Sequence, residues 1–543
     1  MKHILHLALT LAAGLLLAAS PAPAQPARDS LSIGMVEFPA DMHPFITNQL
    51  VRSYVHGFAR RVVTRFDINN TLICDLCTEV PSLANGRVAR EGDHGLAVRF
   101  TLRPGLTWGD GVALTSHDIA LGFDIERQFN PEPGLVGVEE VDPTTYIVHF
   151  DTPRYDFDRL SPDPIPAHLE EASFRAAKDP LEYGRQSLYN RAPTTPGLWN
   201  GPYLVAGFTP GDQARFTPNP FWSGRKPYFR SITTRVIENT AALQANLLSG
   251  DIDTAWGLTF DQSLALEKDH GDRFSLTFLP SLSTTLLVPN LANPALADRR
   301  VRQAILLGID RKTLVEKLFA GRQPVADGIL SPAEPSRNPA IQRYPFNPTR
   351  ARALLAEAGY LPGADKYLHG PGGERLSIDL ASSSGVRLVE LVEQVLQSQL
   401  KAIGIELVLR NEPPRMLLGE TVRQRRFQGL VMFSWLPGPD SIPHSRFHSS
   451  RIPSAANSFG GSNYAGYSNP EMDRLLTDAL AELDPARRQT QWNRIQALVA
   501  DDLPVLPLYH PAAVFLQPRW LTGMLPPQSL TLPSLAAEDW RPR

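Results

Sequence analysis

The sequence predicts an α/β protein with more than one hydrophobic core. Three observations carry this. Short stretches with apolar residues at every second position lie in the first half of the chain. Amphipathic stretches with three- and four-residue spacing fill the second half. The chain, at 543 residues, is also longer than one core normally holds.

Taken in order, Val98, Phe100 and Leu102 alternate with Arg99 and Thr101, the period of a half-buried strand. Trp108-Gly109-Asp110-Gly111 follows, and Asp-Gly marks a tight turn. Thr115-Ser116-His117-Asp118 reads as a capping box that opens a helix. Tyr146, Val148 and Phe150 form a further alternating strand. Ala297 to Ala320 is helical, with Val301, Ile305, Leu314 and Leu318 on apolar faces and Gly321 as the stop. Leu388 to Leu400 is an amphipathic helix, and Ile405 to Leu409 a strand after it. Asn469 caps a helix whose first residue is Pro470. Met472, Leu475, Leu476, Ala479, Leu480 and Leu483 then fall at helical spacing, and we read these stripes as core.

Apolar content of 43% and charged content of 20% are those of a globular protein. With a formal net charge of −3 and no basic stripe, a nucleic-acid partner is not expected. The 49 prolines point to fixed turns and ordered loops. Lys2, the apolar run Ile4 to Ala19 and the A-x-A site Ala22-Pro23-Ala24 read as a secretory signal peptide over residues 1–24. Export leaves a chain of roughly 520 residues starting at Gln25. A periplasmic location follows, and in that oxidising compartment Cys74 and Cys77 are expected as a small structural disulfide. A redox pair or half of a metal site are the other readings of C-x-x-C.

No H-E-x-x-H, G-x-S-x-G or G-x-x-x-x-G-K-[ST] motif occurs. Asp501-Asp502 and Glu139-Glu140 are sequence neighbours, which by spacing alone do not make an acid/base pair. No catalytic residue, cofactor or metal site is therefore expected. His444 and His448 stand four residues apart and would share a helix face, but no acidic partner is evident.

Asn200 to Trp256 carries a resemblance. Gly201-Pro202-Tyr203, Asn219-Pro220-Phe221-Trp222 and Leu248-Ser249-Gly250-Asp251-Ile252-Asp253 resemble a signature of the bacterial extracellular solute-binding proteins of family 5. That class includes the peptide- and nickel-binding components of ABC importers. Phe100 to Ile119, Ala297 to Ala320 and Asn347 to Tyr360 are similar to further elements of the family, in its own order from about Ser30 to about Leu516. The resemblance implies a two-lobed periplasmic-binding-protein fold. Lobe I is expected over residues 25–278 with an extra subdomain at about 56–199, lobe II over 279–504, and a return to lobe I over 505–543. The two crossings are placed at Leu279 to Leu287 and at Leu503 to Leu508. It further implies a monomeric carrier, not an enzyme, that delivers a peptide or peptide-like solute to an inner-membrane ABC permease. A carrier of a non-peptide solute such as a metal chelate or oligosaccharide is the alternative, with a secreted hydrolase behind it.

Relatives that bind peptides place a Trp, and three residues later an Asp that pairs with the ligand's amine, in the second lobe. Trp435 matches the Trp, and Gly438 stands where that Asp is expected. Asp440 lies two positions further on. Glu37 and Phe38, after the first strand, match a cleft-lining region, and Asn463 and Tyr464 lie in the Gly-rich loop Asn457 to Tyr467. These seven residues are the candidate ligand contacts.

Overall fold

The structure is a computed structural model that describes residues 28–46, 49–92, 95–129, 131–438, 440–526 and 532–543. The expected signal peptide at 1–24 lies outside the described residues. Three sheets of four or five strands organise the chain. In the first, the order is Thr254–Trp256, Ser30–Met35, Ser231–Val236, Gln213–Pro218, Tyr203–Thr209. Ser30–Met35 runs parallel to both of its neighbours. In the second, the order is Glu406–Glu412, Ser377–Ser383, Leu430–Trp435, Thr284–Pro289, Leu506–Tyr509.

Each large sheet is the middle layer of a lobe. In the second sheet Leu287, Leu430 and Met432 face one core with the helices Arg299–Gly308, Pro348–Glu357 and Arg387–Ala402. Leu286, Val288 and Val431 face the opposite core with the helices Pro470–Ala481 and Pro485–Asp502. Neighbouring residues thus divide between two faces, as the two-residue period of a strand requires. The first sheet does the same. Ile33, Val205 and Phe216 pack with Phe58 of the helix Leu50–Ala59 and with Trp540. Leu243, Leu247 and Ile252 form a smaller core with Phe274 and Leu516.

The third sheet is antiparallel, in the order Val88–Glu91, Gly95–Thr101, Thr145–Phe150, Leu135–Asp142. It has its own core of Val98, Phe100, Trp108, Tyr146 and Phe150. Removing such large side chains from water is worth about 2–3 kcal/mol each. The chain enters and leaves this subdomain at one point. Asn200 accepts from Arg61 N–H at 2.9 Å and donates to Arg61 O at 3.0 Å, and Gly201 N–H donates to Ala59 O at 2.8 Å. Cys74 and Cys77 are joined in a disulfide. Cys74 ends the hairpin strand Leu72–Cys74, and Cys77 bridges to Leu102, so the disulfide ties the hairpin to the third sheet.

The lobes are joined by two segments that change sheets side by side. Phe274–Pro280 pairs antiparallel with Ala512–Pro518, in the register Pro280↔Ala512. On the far side of Ser281–Ser283 the first segment becomes Thr284–Pro289 of the second sheet. The other segment belongs to that sheet as Leu506–Tyr509 before His510 and Pro511. The switch on the return therefore comes at His510–Pro511, later than Leu503 to Leu508, because the ladder with Thr284–Pro289 runs on to Thr285↔Tyr509. Ser281 clips the two segments together, donating from N–H and Oγ to Pro511 O at 3.0 and 2.7 Å.

The stretch expected as one helix over Ala297 to Ala320 is two, Arg299–Gly308 and Arg311–Phe319. Asp310 restarts the helix by accepting from Thr313 N–H, the preference of Asp for an N-cap. Gly308 lies so close to Ile403 that a Cβ there would fall 2.4 Å from Ile403 Cδ1.

His510 is buried at the switch, with Nδ1 3.2 Å from Ser283 O and 3.1 Å from Thr284 Oγ1. Burial lowers its pKa from 6.5 to about 4. The folded state thus holds a neutral ring where the unfolded chain binds a proton. This contribution to stability is present above the unfolded value and is lost as pH falls from 6.5 towards about 4. The full difference is worth about 3 kcal/mol. We predict that His510→Gln flattens the fall in urea-unfolding free energy between pH 7 and pH 4.5. Parallel pH profiles for the two proteins would refute this.

Candidate functional site

The strand Leu430–Trp435 ends beside the hinge. Its last residue pairs with Thr284, the first residue of the second sheet after the switch. Ser283 Oγ donates to Trp435 O at 2.8 Å, so the hinge turn itself holds the Trp435 backbone. The Trp435 side chain is 6% exposed and belongs to the core that contains Val431, Ile442 and Phe447. Its ring lies 5.5 Å from Phe447 and 6.4 Å from Phe433, and Phe433 lies 6.2 Å from Tyr464. The Arg446 guanidinium sits 4.7 Å from the centroid of the Trp435 ring. Within His444-Ser445-Arg446-Phe447-His448, Arg446 and Phe447 are the residues that reach Trp435. The two imidazoles lie against each other at 4.5 Å, tilted by 30°. Burial draws His444 down to about 4. Among the described residues no group of three His, Cys, Asp or Glu is arranged to hold a metal ion.

Of the candidate contacts on the second lobe, Trp435 and Tyr464 thus belong to one aromatic cluster through Phe433. Asn463 does not line it. Asn463 is fully buried, and its side chain donates to His448 O at 3.1 Å and Tyr467 O at 2.8 Å while accepting from Tyr467 N–H at 3.0 Å. The amide is spent on folding the loop that carries Tyr464. Gly438 is exposed, and a Cβ built there meets nothing within 4 Å. Packing therefore does not demand a glycine at this position.

Asp440 is occupied elsewhere. Its Oδ2 lies 3.5 Å from Arg488 Nη2, its N–H donates to Glu334 Oε2 at 3.2 Å, and its carbonyl accepts from Arg159 Nη2 at 3.3 Å. Burial pushes the Asp440 and Glu334 carboxyls up, and Asp158 nearby up to about 6. Arg159 and Tyr155 come from the third-sheet subdomain, and Arg488 and Glu334 from the second lobe. The same seam contains Tyr155 N–H donating to Leu480 O at 2.8 Å and Asn70 Nδ2 donating to Ala333 O at 3.1 Å. A cavity of about 260 Å³ opens in it between Phe66, Asn70, Glu334 and Gln489.

On the first lobe, Glu37 is exposed, and the Phe38 ring lies 5.3 Å from Phe208. Both follow the strand Ser30–Met35, and the intervening Val36 lies against Gly257 (φ +105°), where a Cβ would fall 2.4 Å from Val36 Cγ2. Trp256 stacks on Tyr54 at 5.0 Å. A cavity of about 320 Å³ is bounded by Trp256, Leu258 and Phe260, by Ala513 on the crossing segment and by Gln323 of the second lobe. Gln323 is 6% exposed, and its Oε1 has no hydrogen-bond partner among the described residues. Both lobes and the hinge thus contribute to one polar-tipped apolar cavity.

The contrast between Asn463 and Tyr464 is testable. Asn463→Ala leaves buried carbonyls and an N–H unpaired and should cost about 2–3 kcal/mol in urea unfolding. Tyr464→Ala removes a half-buried ring and should cost less. Equal losses would refute the assignment of Asn463 to scaffold.

Comparison with known proteins agrees with this architecture. The family described as bacterial extracellular solute-binding proteins, family 5 Middle, matches residues 78–454. The oligopeptide-binding protein AppA of Bacillus subtilis is 26% identical over 460 residues, covering 80% of this chain and 79% of its own. The oligopeptide-binding protein of Thermus thermophilus, solved with a pentapeptide, is 27% identical with a TM-score of 0.71, covering 95% of this chain and 97% of its own. NikA of Brucella suis, solved with Fe(III)-EDTA, shares the fold at a TM-score of 0.76 and 19% identity, covering 95% of this chain and 100% of its own. With its two lobes, paired hinge segments and matched residues, the chain belongs to family 5 of the bacterial extracellular solute-binding proteins.

Proposed function

We propose that this chain is the exported, monomeric receptor of an ABC importer. It captures a peptide or peptide-like solute between its lobes and presents the closed form to a membrane permease. The observation that carries this reading is the aromatic cluster of Trp435, Phe433 and Tyr464 at the hinge end of the second lobe. Rings supply a large apolar surface at low entropic cost. Beyond Trp435 the chain runs past the last ladder pair, with Leu436 and Gly438 exposed. Such a segment offers its backbone to an extended ligand, whose main chain is then held without reading its side chains. Opening and closing is a hinge motion about Ser281–Ser283 and His510–Pro511. Solute shifts that equilibrium only by its differential affinity for the two states. Carriage of a solute requires no bond to be made or broken, and the residues above need no catalytic role.

Recognition of a free amine at Asp440 is disfavoured. Its carboxylate already has Arg488, and taking it from that partner would leave a half-buried cation unpaired. Asp440→Ala is therefore expected to alter the affinity for a free-amine peptide by less than about tenfold, and N-acetylation of that peptide should be tolerated. Calorimetry on the two forms checks this. A preference for the free amine of about a thousandfold, equal to ~4 kcal/mol, would overturn it. The class of solute is tested by native mass spectrometry of the protein purified from its own periplasm. A peptide or peptide-like mass is expected. A metal chelate or an oligosaccharide would refute the peptide reading and leave the carrier reading standing.

A further inference from the structure

Among the described residues each buried arginine has a carbonyl or carboxylate partner, although Arg60, paired with Asp163 at 3.0 Å, leaves Nε and Nη2 without one. Arg302 donates to Leu503 O, Leu296 O and Ala297 O at 3.0, 2.7 and 2.8 Å. Arg311 donates to Tyr344 O at 2.6 Å and Pro507 O at 3.0 Å, and Arg61 to Glu538 Oε2 at 2.6 Å. Arg446 differs. It is half-buried, yet among the described residues its guanidinium has no carboxylate within ion-pair distance and no hydrogen-bond acceptor. It lies over the Trp435 ring, 4.7 Å from the centroid. Burial draws its pKa down from 12.5 to about 10, against the opposing influence of Tyr464. The nearest acid along the chain, Asp440, is held by Arg488.

A cation over an indole gains about 1–2 kcal/mol, which does not replace water or an anion for a guanidinium with five donors. The fork of N–H groups on a stacked guanidinium matches the two oxygens of a planar carboxylate. We propose that Arg446, stacked on Trp435, is a subsite for a carboxylate of the transported solute. The proposal rests on the reading of the aromatic cluster as the solute site. It makes the charge selectivity of that site anionic, with Tyr464 beside the bound carboxylate and Phe433 as an apolar wall.

The test uses the full exported protein and a tryptic digest of casein, offered as prepared and after methyl esterification of its carboxyl groups. Bound species are counted by native mass spectrometry. The parent is expected to retain peptides from the acid digest and to lose them on esterification. Arg446→Gln is expected to weaken retention of the acid peptides about 10- to 100-fold, the worth of one charge-assisted hydrogen-bonded pair. Arg446→Lys keeps the charge without the fork and should retain part of the binding. Equal retention of acid and ester peptides by the parent overturns the proposal and leaves the peptide reading standing. So does a loss in Arg446→Gln that affects both digests alike and tracks a lowered unfolding midpoint, since that is a structural role. If the parent retains neither digest, the peptide reading fails instead. The subsite is then judged on the solute that co-purifies from the periplasm. A carboxylate-bearing solute whose occupancy falls in Arg446→Gln supports it. A solute without a carboxylate, or none that depends on Arg446, overturns it.

Discussion

The two lobes depend on the pairing of their connections. A single crossing strand would leave one lobe free to twist about it. Here Phe274–Pro280 and Ala512–Pro518 are zipped in one ladder, and Thr284–Pro289 and Leu506–Tyr509 in the next. Between the two ladders lie two short breaks, Ser281–Ser283 and His510–Pro511, where the proposed hinge motion is placed. Ser281 and His510 join those breaks to each other by hydrogen bonds. The burial of His510, which keeps its ring neutral, belongs to the same join.

That constraint also fixes the site. Because Trp435 pairs with Thr284, the aromatic cluster begins where the hinge ends. The ring is backed by Phe447 and Ile442 in a close-packed core, which pre-positions it. The first lobe brings Trp256 to the other side of the crossing, where Gln323 of the second lobe completes a shared cavity. A third contact lies off to the side. The subdomain with the third sheet leaves the first lobe through the clipped pair Arg61 and Asn200, yet meets the second lobe through Tyr155, Arg159 and Asp440. In this seam Asp440 is held by Arg488, Arg159 and Glu334, which supports the proposal that it takes no part in solute recognition. Among the described residues Arg446 is left as the charge without a counter-ion beside the rings.

Much of the fold was legible in the sequence because it is written in local chemistry. Alternation at Val98, Phe100 and Leu102, the cap at Asn469 and the proline at Pro470 act within a few residues and do not depend on the rest of the chain. The order of the motifs carried the family and its two lobes. Trp435 and Tyr464 were legible as residue types in a loop context. The cysteines were legible as a pair because they stand three positions apart.

What only the tertiary structure decided are the matters of partner and register. The close approach of Ile403 to Gly308, where the first of the two helices ends, is a contact between distant residues. The late return at His510–Pro511 is set by how far one ladder extends. The amide of Asn463 is taken by His448 and Tyr467, which supports a role in folding the loop. Asp440 and Arg446 are a few residues apart in the chain and equally suited to pairing by type, yet Arg488 from a helix far along the sequence neutralises one and nothing in the described protein neutralises the other. A side chain's charge is local, but whether that charge is spent depends on what the fold brings beside it.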